Sequence, residues 1–152
     1  MAQGKGRCLC GAVKFTVINM NNSVDACHCG MCRRWGGGPL MSISCGTGII
    51  FEGKENISVY NSSDWAERAF CKQCGSHLFY RLKESNDHQM PAGIFDNQVD
   101  FSLDLQVFID QKPSFYRFNN KTNEMTEAQI IEKFAPRESK IKKVPKSTRG
   151  VF

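Results

Sequence analysis

The stretch Cys27-His28-Cys29-Gly30-Met31-Cys32-Arg33-Arg34-Trp35-Gly36-Gly37-Gly38 holds three cysteines within six residues, followed by two arginines and a run of glycines. Thiolates this close together can hold a borderline-soft cation such as Zn²⁺, at about 2.3 Å per Zn–S contact, and three of them fill three corners of a tetrahedron. A fourth protein ligand makes such a site structural, whereas an open position makes it reactive. Because the glycines would let a substrate come close, we interpret this stretch as the reactive centre.

Two other cysteine pairs predict a second metal site of a different kind. Cys71-Lys72-Gln73-Cys74-Gly75 has the spacing of a zinc knuckle, in which a tight turn brings both sulfurs to one ion. Cys8-Leu9-Cys10-Gly11 is the free pair of matching style. We predict one strand over residues 6–18, in which the side chains of Cys8 and Cys10 point the same way. The two pairs together would close a structural four-cysteine site that contributes directly to folding.

The sequence does not decide which residue, if any, is the fourth ligand at Cys27, Cys29 and Cys32. Cys45 could complete an all-thiolate site, or it could be a small core residue, as free cysteines often are. His28 lies between two ligands and should point away from the ion. His77 and His88 are other candidates, although each is more often a surface or packed histidine. We favour the open site.

Charge and composition predict a basic tail that is distinct from the domain, and they favour a cytoplasmic location. Residues 137–152 carry six Lys/Arg and one acidic residue, whereas the other 136 residues carry 14 of each sign. We therefore predict a zinc-binding domain at 1–135 and a basic, flexible tail at 136–152, with no nucleic-acid-binding face on the domain. No apolar run approaches the roughly 20 residues of a membrane span. No apolar signal segment precedes the cysteine motifs, so we expect a cytoplasmic protein whose cysteine motifs bind metal rather than form disulfides.

Short strands separated by turn signals predict an all-β fold of mainly antiparallel strands. We expect strands at 24–27, 40–44, 49–52, 57–60, 77–82, 103–109 and 115–118. The only good helix candidate is late and short. Thr126 and Gln129 form a capping box for it, an apolar stripe follows, and Pro136 ends it.

With these residues in hand, the chain resembles the family of glutathione-dependent formaldehyde-activating enzymes, which also includes the centromere protein V group. The resemblance covers roughly residues 5–118 and is carried by three motifs. These are Gly6-x-Cys8-x-Cys10-Gly11-x-Val13, Cys27-x-Cys29-x-x-Cys32-Arg33 and Arg68-x-Phe70-Cys71-x-x-Cys74-Gly75-Ser76.

The resemblance implies a β-tent fold with two zinc ions. Cys8, Cys10, Cys71 and Cys74 would bind the structural ion, and Cys27, Cys29 and Cys32 the catalytic ion, with Cys45 outside the motif. The chain departs from the family pattern at Gln106, where the family often has His, and at Phe115, where it often has Trp. These departures bear on the shape of the substrate pocket more than on the metal chemistry.

The function that the resemblance implies is a carbon–sulfur lyase or synthase, with glutathione plus formaldehyde as the reference reaction. A small-molecule thiol would bind at the open zinc position as thiolate and add to an aldehyde. Arg33 and Arg34 are candidates for binding the carboxylates of a glutathione-like thiol. The alternative is a non-catalytic, zinc-stabilised binding module whose basic tail contacts an acidic partner or nucleic acid.

Overall fold

The computed structural model describes residues 2–134. Their strands are β1 Ala2–Arg7, β2 Lys14–Met20, β3 Ser23–Cys27, β4 Leu40–Gly46, β5 Ile49–Glu52, β6 Ile57–Tyr60, β7 Ala66–Cys71, β8 His77–Leu82, β9 His88–Pro91, β10 Ser102–Val107 and β11 Asn123–Met125. The α-helices are α1 Gly30–Gly36 and α2 Glu127–Phe134. The predicted tail at 136–152 lies outside the described residues, so both its flexibility and the boundary at 135 stay predictions.

The predicted all-β class is confirmed, and most strand pairs are antiparallel. The expected strands at 49–52, 57–60 and 77–82 coincide with β5, β6 and β8. The expected late helix is α2, and its capping box is formed: the Thr126 N–H donates to Gln129 Oε1 at 2.8 Å, and the Gln129 N–H donates to Thr126 Oγ1 at 3.3 Å. Between residues 2 and 134, no helix is long and apolar enough to cross a membrane.

The chain divides into two compact units. The first unit comprises, within the described range, residues 2–24 and Met41–Ser102, and it contains the antiparallel sheet β1-β2-β5 and the strand run β4-β9-β8-β7-β6. Strand β2 alternates between exposed and buried side chains, which places Phe15 and Val17 in the core. The Phe15 ring meets the Phe95 ring edge-on at 5.1 Å between centroids. Burial of such rings contributes about 1.5–3 kcal/mol each.

The second unit comprises Asp25–Leu40 and, within the described range, residues 103–134. It contains both α-helices and the parallel pair β10–β11. Its core is a small cluster in which Cys27, Cys29 and Cys32 pack with Phe108 and Ile130. The cysteines of the reactive stretch are therefore also core residues of this unit.

The prediction of one strand over 6–18 was wrong. Strand β1 ends at Arg7 and β2 begins at Lys14, and the residues between them form a turn. The Cys8 N–H donates to the Val13 carbonyl at 3.0 Å, and Gly11 has φ 78°, a left-handed conformation that glycine adopts without strain. The Cys-x-Cys-Gly motif therefore favours a turn, because its glycine can take the left-handed conformation in which the chain reverses direction.

Strand expectations after residue 103 were partly wrong. Strand β10 ends at Val107 because Phe108 has φ 54°, and a 3₁₀ turn, Ile109–Gln111, follows it. The segment 115–118 is not a strand. The Lys112 ammonium donates to the carbonyls of Pro113 and Tyr116, so the chain wraps around one cation instead of extending.

Helix α1 was not predicted, although it lies in the cysteine-rich stretch from Cys27 to Gly38. Cys29 is its N-cap, and the Cys29 sulfur accepts from the Cys32 N–H at 3.3 Å. Gly37, with φ 85°, ends the helix, and its N–H donates to the Arg33 carbonyl. The helix is short and its cap is a thiol rather than a hydroxyl or carboxylate, so the usual start signals are missing.

Candidate functional site

The first cysteine cluster lies in the first unit and joins two turns. The sulfurs of Cys8, Cys10, Cys71 and Cys74 all lie within 4.8 Å of one another. The distances from Cys10 Sγ are 3.6 Å to Cys8 Sγ and 3.8 Å to Cys71 Sγ. In a tetrahedron with Zn–S contacts of about 2.3 Å, adjacent sulfurs are about 3.8 Å apart. The four donors therefore fit one zinc ion.

Local hydrogen bonds build this cluster. The knuckle turn is closed by the Gly75 N–H, which donates to the Cys71 carbonyl at 2.8 Å, and Gly75 has φ 76°. The turn is tied to the β1–β2 turn by the Leu9 N–H, which donates to Ser76 Oγ at 2.9 Å. The two turns thus bring together cysteine pairs that lie about sixty residues apart in the sequence.

The thiols of this cluster differ in acidity. Hydrogen bonds from the Ser76 hydroxyl and N–H lower the pKa of Cys74 to about 5. The Ala12 N–H lowers the pKa of Cys10, but desolvation and the neighbouring thiols outweigh it and raise that pKa to about 11. Thiols that compete in this way can all become thiolates when a divalent cation neutralises them.

The second cysteine cluster lies in the second unit. Cys27 ends β3, Cys29 caps α1 and Cys32 is in the first turn of α1, and their sulfurs lie within 4.8 Å of one another. Hydrogen bonds with Cys29 and Cys32, together with burial, raise the pKa of Cys27 well above its usual value. Three converging soft donors fit a zinc ion. The positive charge of that ion would oppose the rise in the pKa of Cys27.

The other candidate ligands lie elsewhere. Within residues 2–134, neither cluster includes Cys45 or a histidine. Cys45 is buried in the first unit, where its thiol donates to the Ile43 carbonyl and burial raises its pKa to about 12. His88 is buried against the Phe79 ring, and its Nδ1 lies 3.1 Å from the Gly46 carbonyl. His77 is half-buried, and burial lowers its pKa.

His28 is fully buried in a hydrogen-bond network that the sequence did not predict. Its Nε2 lies 2.8 Å from Gln106 Oε1, and its Nδ1 lies 2.7 Å from Tyr116 Oη. Because an amide oxygen only accepts, Nε2 carries the proton and Nδ1 accepts from the tyrosine hydroxyl. Gln106 Nε2 then donates to Thr122 Oγ1 at 2.9 Å. Both ring nitrogens have protein partners, in agreement with the expectation that His28 is not a metal ligand.

The departure at Gln106 was the one sequence signal for this network. Gln106 is buried and supplies both an acceptor for His28 and a donor for Thr122. The other departure, Phe115, is 81% exposed, and its ring lies 5.1 Å from the Tyr116 ring. Gln106 therefore helps to hold His28, which lies between two cysteines of the second cluster, whereas Phe115 lies at the surface.

Replacing Gln106 by leucine should destabilise the zinc-loaded chain by about 1–3 kcal/mol, because the buried His28 Nε2–H loses its acceptor. Urea unfolding measures the change. Thr122→Val is the matched control: it removes only the outer bond of a half-buried residue, where water can replace the hydroxyl, and should cost less than about 1 kcal/mol. Equal losses of unfolding free energy in the two variants would contradict the larger contribution that we assign to the hydrogen bond of His28.

A charged cleft of about 540 Å³ lies beside helix α1 in the second unit. Its lining residues come from α1 and from two later segments: Gly30, Met31, Arg33, Arg34, Asp110, Gln111 and Glu127. Gly30 and Met31 are the residues between Cys29 and Cys32, so the cleft is bounded by the same turn that holds the cysteines. The sequence indicated Arg33 and Arg34 as candidates for binding a substrate carboxylate, which stays a prediction, and it did not indicate the other polar residues that line the cleft.

A chain of hydrogen bonds connects the parts of this cleft. The Gly30 N–H donates to Gln111 Oε1 at 3.2 Å, and Gln111 Nε2 donates to Glu127 Oε2 at 2.8 Å. The Glu127 N–H in turn donates to Asp110 Oδ1 at 3.0 Å. Arg33 Nε donates to the His28 carbonyl at 3.0 Å, which anchors one guanidinium at the cysteine turn.

The fold and the two cysteine clusters define an all-β protein with the donor sets of a thiolate metalloprotein. A family model described as "Glutathione-dependent formaldehyde-activating enzyme" matches residues 3–111. The chain belongs to this family, as its three cysteine motifs predicted.

Two known proteins illustrate the similarity. An uncharacterized lyase of Schizosaccharomyces pombe is 35% identical over 133 residues, which cover 87% of this chain and 97% of that protein. A crystal structure of a Rhodobacter sphaeroides protein matches with a TM-score of 0.52 and 24% identity, over 61% of this chain and 88% of that one. The second comparison supports the fold alone.

Proposed function

We propose that this chain is a zinc-dependent carbon–sulfur lyase or synthase that activates a thiol for addition to an aldehyde such as formaldehyde. The observation that carries the proposal is the cluster of three buried thiols, Cys27, Cys29 and Cys32, at a turn that also lines a charged cleft. Three protein donors leave a tetrahedral ion with one position for a substrate. Membership of the family and the lyase relative support the same reaction class.

The two clusters would have different tasks. Cys8, Cys10, Cys71 and Cys74 offer four donors and join two distant turns, which suits a closed, structural ion. Cys27, Cys29 and Cys32 offer three donors and would hold the catalytic ion. A zinc ion held by these residues would favour the thiolate form of a coordinating thiol.

The chain's own residues would bind and orient the substrates. The guanidinium groups of Arg33 and Arg34 line the cleft and can bind carboxylates of a glutathione-like thiol. The three cysteines are buried, so an ion that they held would be shielded from bulk water. In the net reaction the thiol sulfur bonds to the aldehyde carbon and the thiol proton ends on the aldehyde oxygen, giving an S-hydroxymethyl thiol. The reverse reaction is the lyase direction.

The His28 network would keep the cysteine turn in one conformation during this reaction. His28 follows Cys27 directly, and its ring is held by Tyr116 and Gln106. A fixed ligand turn lowers the cost of orienting the substrate. His28 is thus proposed as a positioning residue rather than a ligand.

The decisive experiment replaces zinc by Co²⁺, whose thiolate sites have visible absorption bands that report ligand changes. Adding glutathione to the cobalt-loaded chain should shift the bands of one site and leave those of the other unchanged, because one ion has a position for an external thiol. S-methylglutathione, which lacks the thiol, is the control and should leave both sets of bands unchanged.

Bands that no thiol moves would contradict the proposal and favour two closed structural ions. That result would leave the alternative of a zinc-stabilised binding module. The alternative depends on the basic tail at 136–152, which lies outside the described residues, and it stays a prediction. The cytoplasmic location likewise stays a prediction.

A further inference from the structure

The four cysteines of the first cluster differ in their access to solvent. Cys8 and Cys71 are each only 1% exposed. Cys10, by contrast, is exposed, and Cys74 is half-buried. Each of the two turns therefore contributes one inner and one outer cysteine. The outer pair, Cys10 and Cys74, is the part of the cluster that a small molecule in solution can reach.

The position of each cysteine in its turn explains this difference. Cys8 begins the β1–β2 turn, where its N–H donates to the Val13 carbonyl at 3.0 Å and its sulfur accepts from the Val13 N–H at 3.3 Å. Cys71 is the last residue of β7. Both inner cysteines are thus held at the base of a turn, whereas Cys10 and Cys74 directly precede the glycines at which the two turns reverse.

The two outer cysteines lie close together although they come from different turns. The Cys74 sulfur accepts a hydrogen bond from the Cys10 N–H. All four sulfurs of the cluster lie within 4.8 Å of one another, and a disulfide bond is about 2 Å long, so a bond between the outer pair requires a movement of at most about 3 Å. The outer pair can therefore be joined by a small displacement of two turn residues.

The first cluster would also hold more negative charge than the second once both are loaded with zinc. Four thiolates around Zn²⁺ carry a net charge of −2, whereas three carry −1. Sulfur that keeps more negative charge is the better nucleophile toward an oxidant. The three sulfurs of the second cluster are all buried as well. A dissolved oxidant would therefore react first with the outer pair of the first cluster.

We propose that Cys10 and Cys74 form a redox-sensitive disulfide that displaces the structural zinc ion when the chain meets hydrogen peroxide. The Cys10 thiolate attacks one peroxide oxygen, the O–O bond breaks, and a sulfenic acid and a hydroxide ion are formed. The Cys74 thiolate then attacks the Cys10 sulfur, which forms the S–S bond and expels a second hydroxide ion. The two sulfurs lose two electrons in total, the peroxide gains them, and solvent protonates both hydroxide ions to water.

Two consequences follow for the metal. Cys8 and Cys71 are the remaining donors of the cluster, and two thiolates are too few to hold the ion. An exposed disulfide is readily reduced by thiols, so the loss of zinc is reversible. This inference goes beyond the proposed function, because it needs zinc in the first cluster but no catalysis at the second.

The test treats the zinc-loaded full chain with a small molar excess of hydrogen peroxide and follows zinc release with a chromogenic chelator. One of the two ions should be released from each chain, and dithiothreitol with added zinc should restore it. The reaction is stopped with N-ethylmaleimide in denaturant when half of this zinc has appeared, and the chain is then digested with trypsin for mass spectrometry.

The tryptic peptides locate the disulfide. Trypsin cleaves after Lys72 and so separates Cys71 from Cys74. The expected product joins the peptide 8–14 to the peptide 73–81, while Cys71 in the peptide 69–72 is alkylated as a free thiol. Fragmentation of the joined product should place the bond at Cys10 rather than at Cys8.

Two variants control for the other cysteines. Cys45→Ala removes a buried cysteine outside both clusters, and it should release zinc and form the joined peptides as the unsubstituted chain does. Cys32→Ala removes a thiol of the second cluster and should start with one ion. Peroxide should release that ion and give the same joined peptides, because the first cluster is unchanged.

The outcomes separate this inference from the proposed function. A first disulfide that contains Cys71, or one within the peptide 15–33 that holds the second cluster, overturns the inference. Retention of both ions under the same peroxide excess overturns it as well. If the joined peptides form but no thiol moves the cobalt bands, the redox-sensitive disulfide stands and thiol activation fails. If glutathione moves the bands but the joined peptides do not form, thiol activation stands and the disulfide fails.

Discussion

Replacing Cys71 by alanine is expected to release one zinc ion and to leave much of the chain unfolded at 25 °C. Cys71 belongs to the four-sulfur cluster that joins the β1–β2 turn to the knuckle turn. Structural zinc contributes about 10–16 kcal/mol of apparent binding free energy, and domains are stable by only about 5–15 kcal/mol. Even a partial loss of the ion's contribution therefore approaches the whole stability. Zinc content by elemental analysis and thermal unfolding by circular dichroism measure the two effects.

Cys45→Ala is the matched control for this change. Cys45 is a buried cysteine outside both clusters, so the substitution removes the same atoms without removing a proposed ligand. It should keep both ions and lose about 1 kcal/mol through the small cavity. If Cys71→Ala keeps two ions and unfolds at the same temperature as Cys45→Ala, the four-cysteine cluster is not the structural zinc site.

Replacing Cys32 by alanine is expected to abolish catalysis while the chain stays folded. The variant keeps the Cys32 N–H that donates to the Cys29 sulfur, so the first turn of α1 retains its cap. It leaves the second cluster with two thiols, too few to hold the ion in the proposed geometry. Losing several kcal/mol of transition-state stabilisation corresponds to about a 1,000-fold lower rate.

The rate is measured as S-hydroxymethylglutathione formation from glutathione and formaldehyde above the spontaneous reaction. Zinc content should fall to one ion per chain, and circular dichroism should match that of the Cys45→Ala control. If Cys32→Ala turns over normally with a single ion, the reaction does not take place at the cysteine triad. Loss of the fold in Cys32→Ala, with a folded but inactive Cys71→Ala, would exchange the roles of the two clusters.

Features that depend on neighbouring residues could be predicted from the sequence. The spacing of Cys71 and Cys74 with Gly75 behind them indicates a tight knuckle turn, and such a turn is formed. Alternating residues from Phe15 to Val17 indicate a half-buried strand, which is β2. The capping box of α2 is likewise complete within four residues. Each of these signals is local, so no distant part of the chain was needed to interpret it.

Predictions failed where local signals were weak or had two interpretations. The segment 6–18 combined strand residues with a Cys-x-Cys-Gly turn, and the alternation concealed the reversal at Gly11. Helix α1 has a thiol cap and a glycine-rich end, so its pattern resembled a loop. The aromatic segment 115–118 had strand propensity, but the Lys112 ammonium binds the carbonyls around it.

The all-β class, the two groups of cysteines and the family could be predicted from the amino-acid sequence, because ligand spacing and strand alternation are properties of short segments. The surroundings of the cysteine triad could not be predicted in this way, since they depend on tertiary packing. It places Gln106 and Tyr116 on the two nitrogens of His28, and it brings Gln111 and Glu127 to Gly30 across some eighty to ninety-seven residues. Such partners are chosen by how strands and helices pack, and packing joins residues that carry no common pattern along the chain.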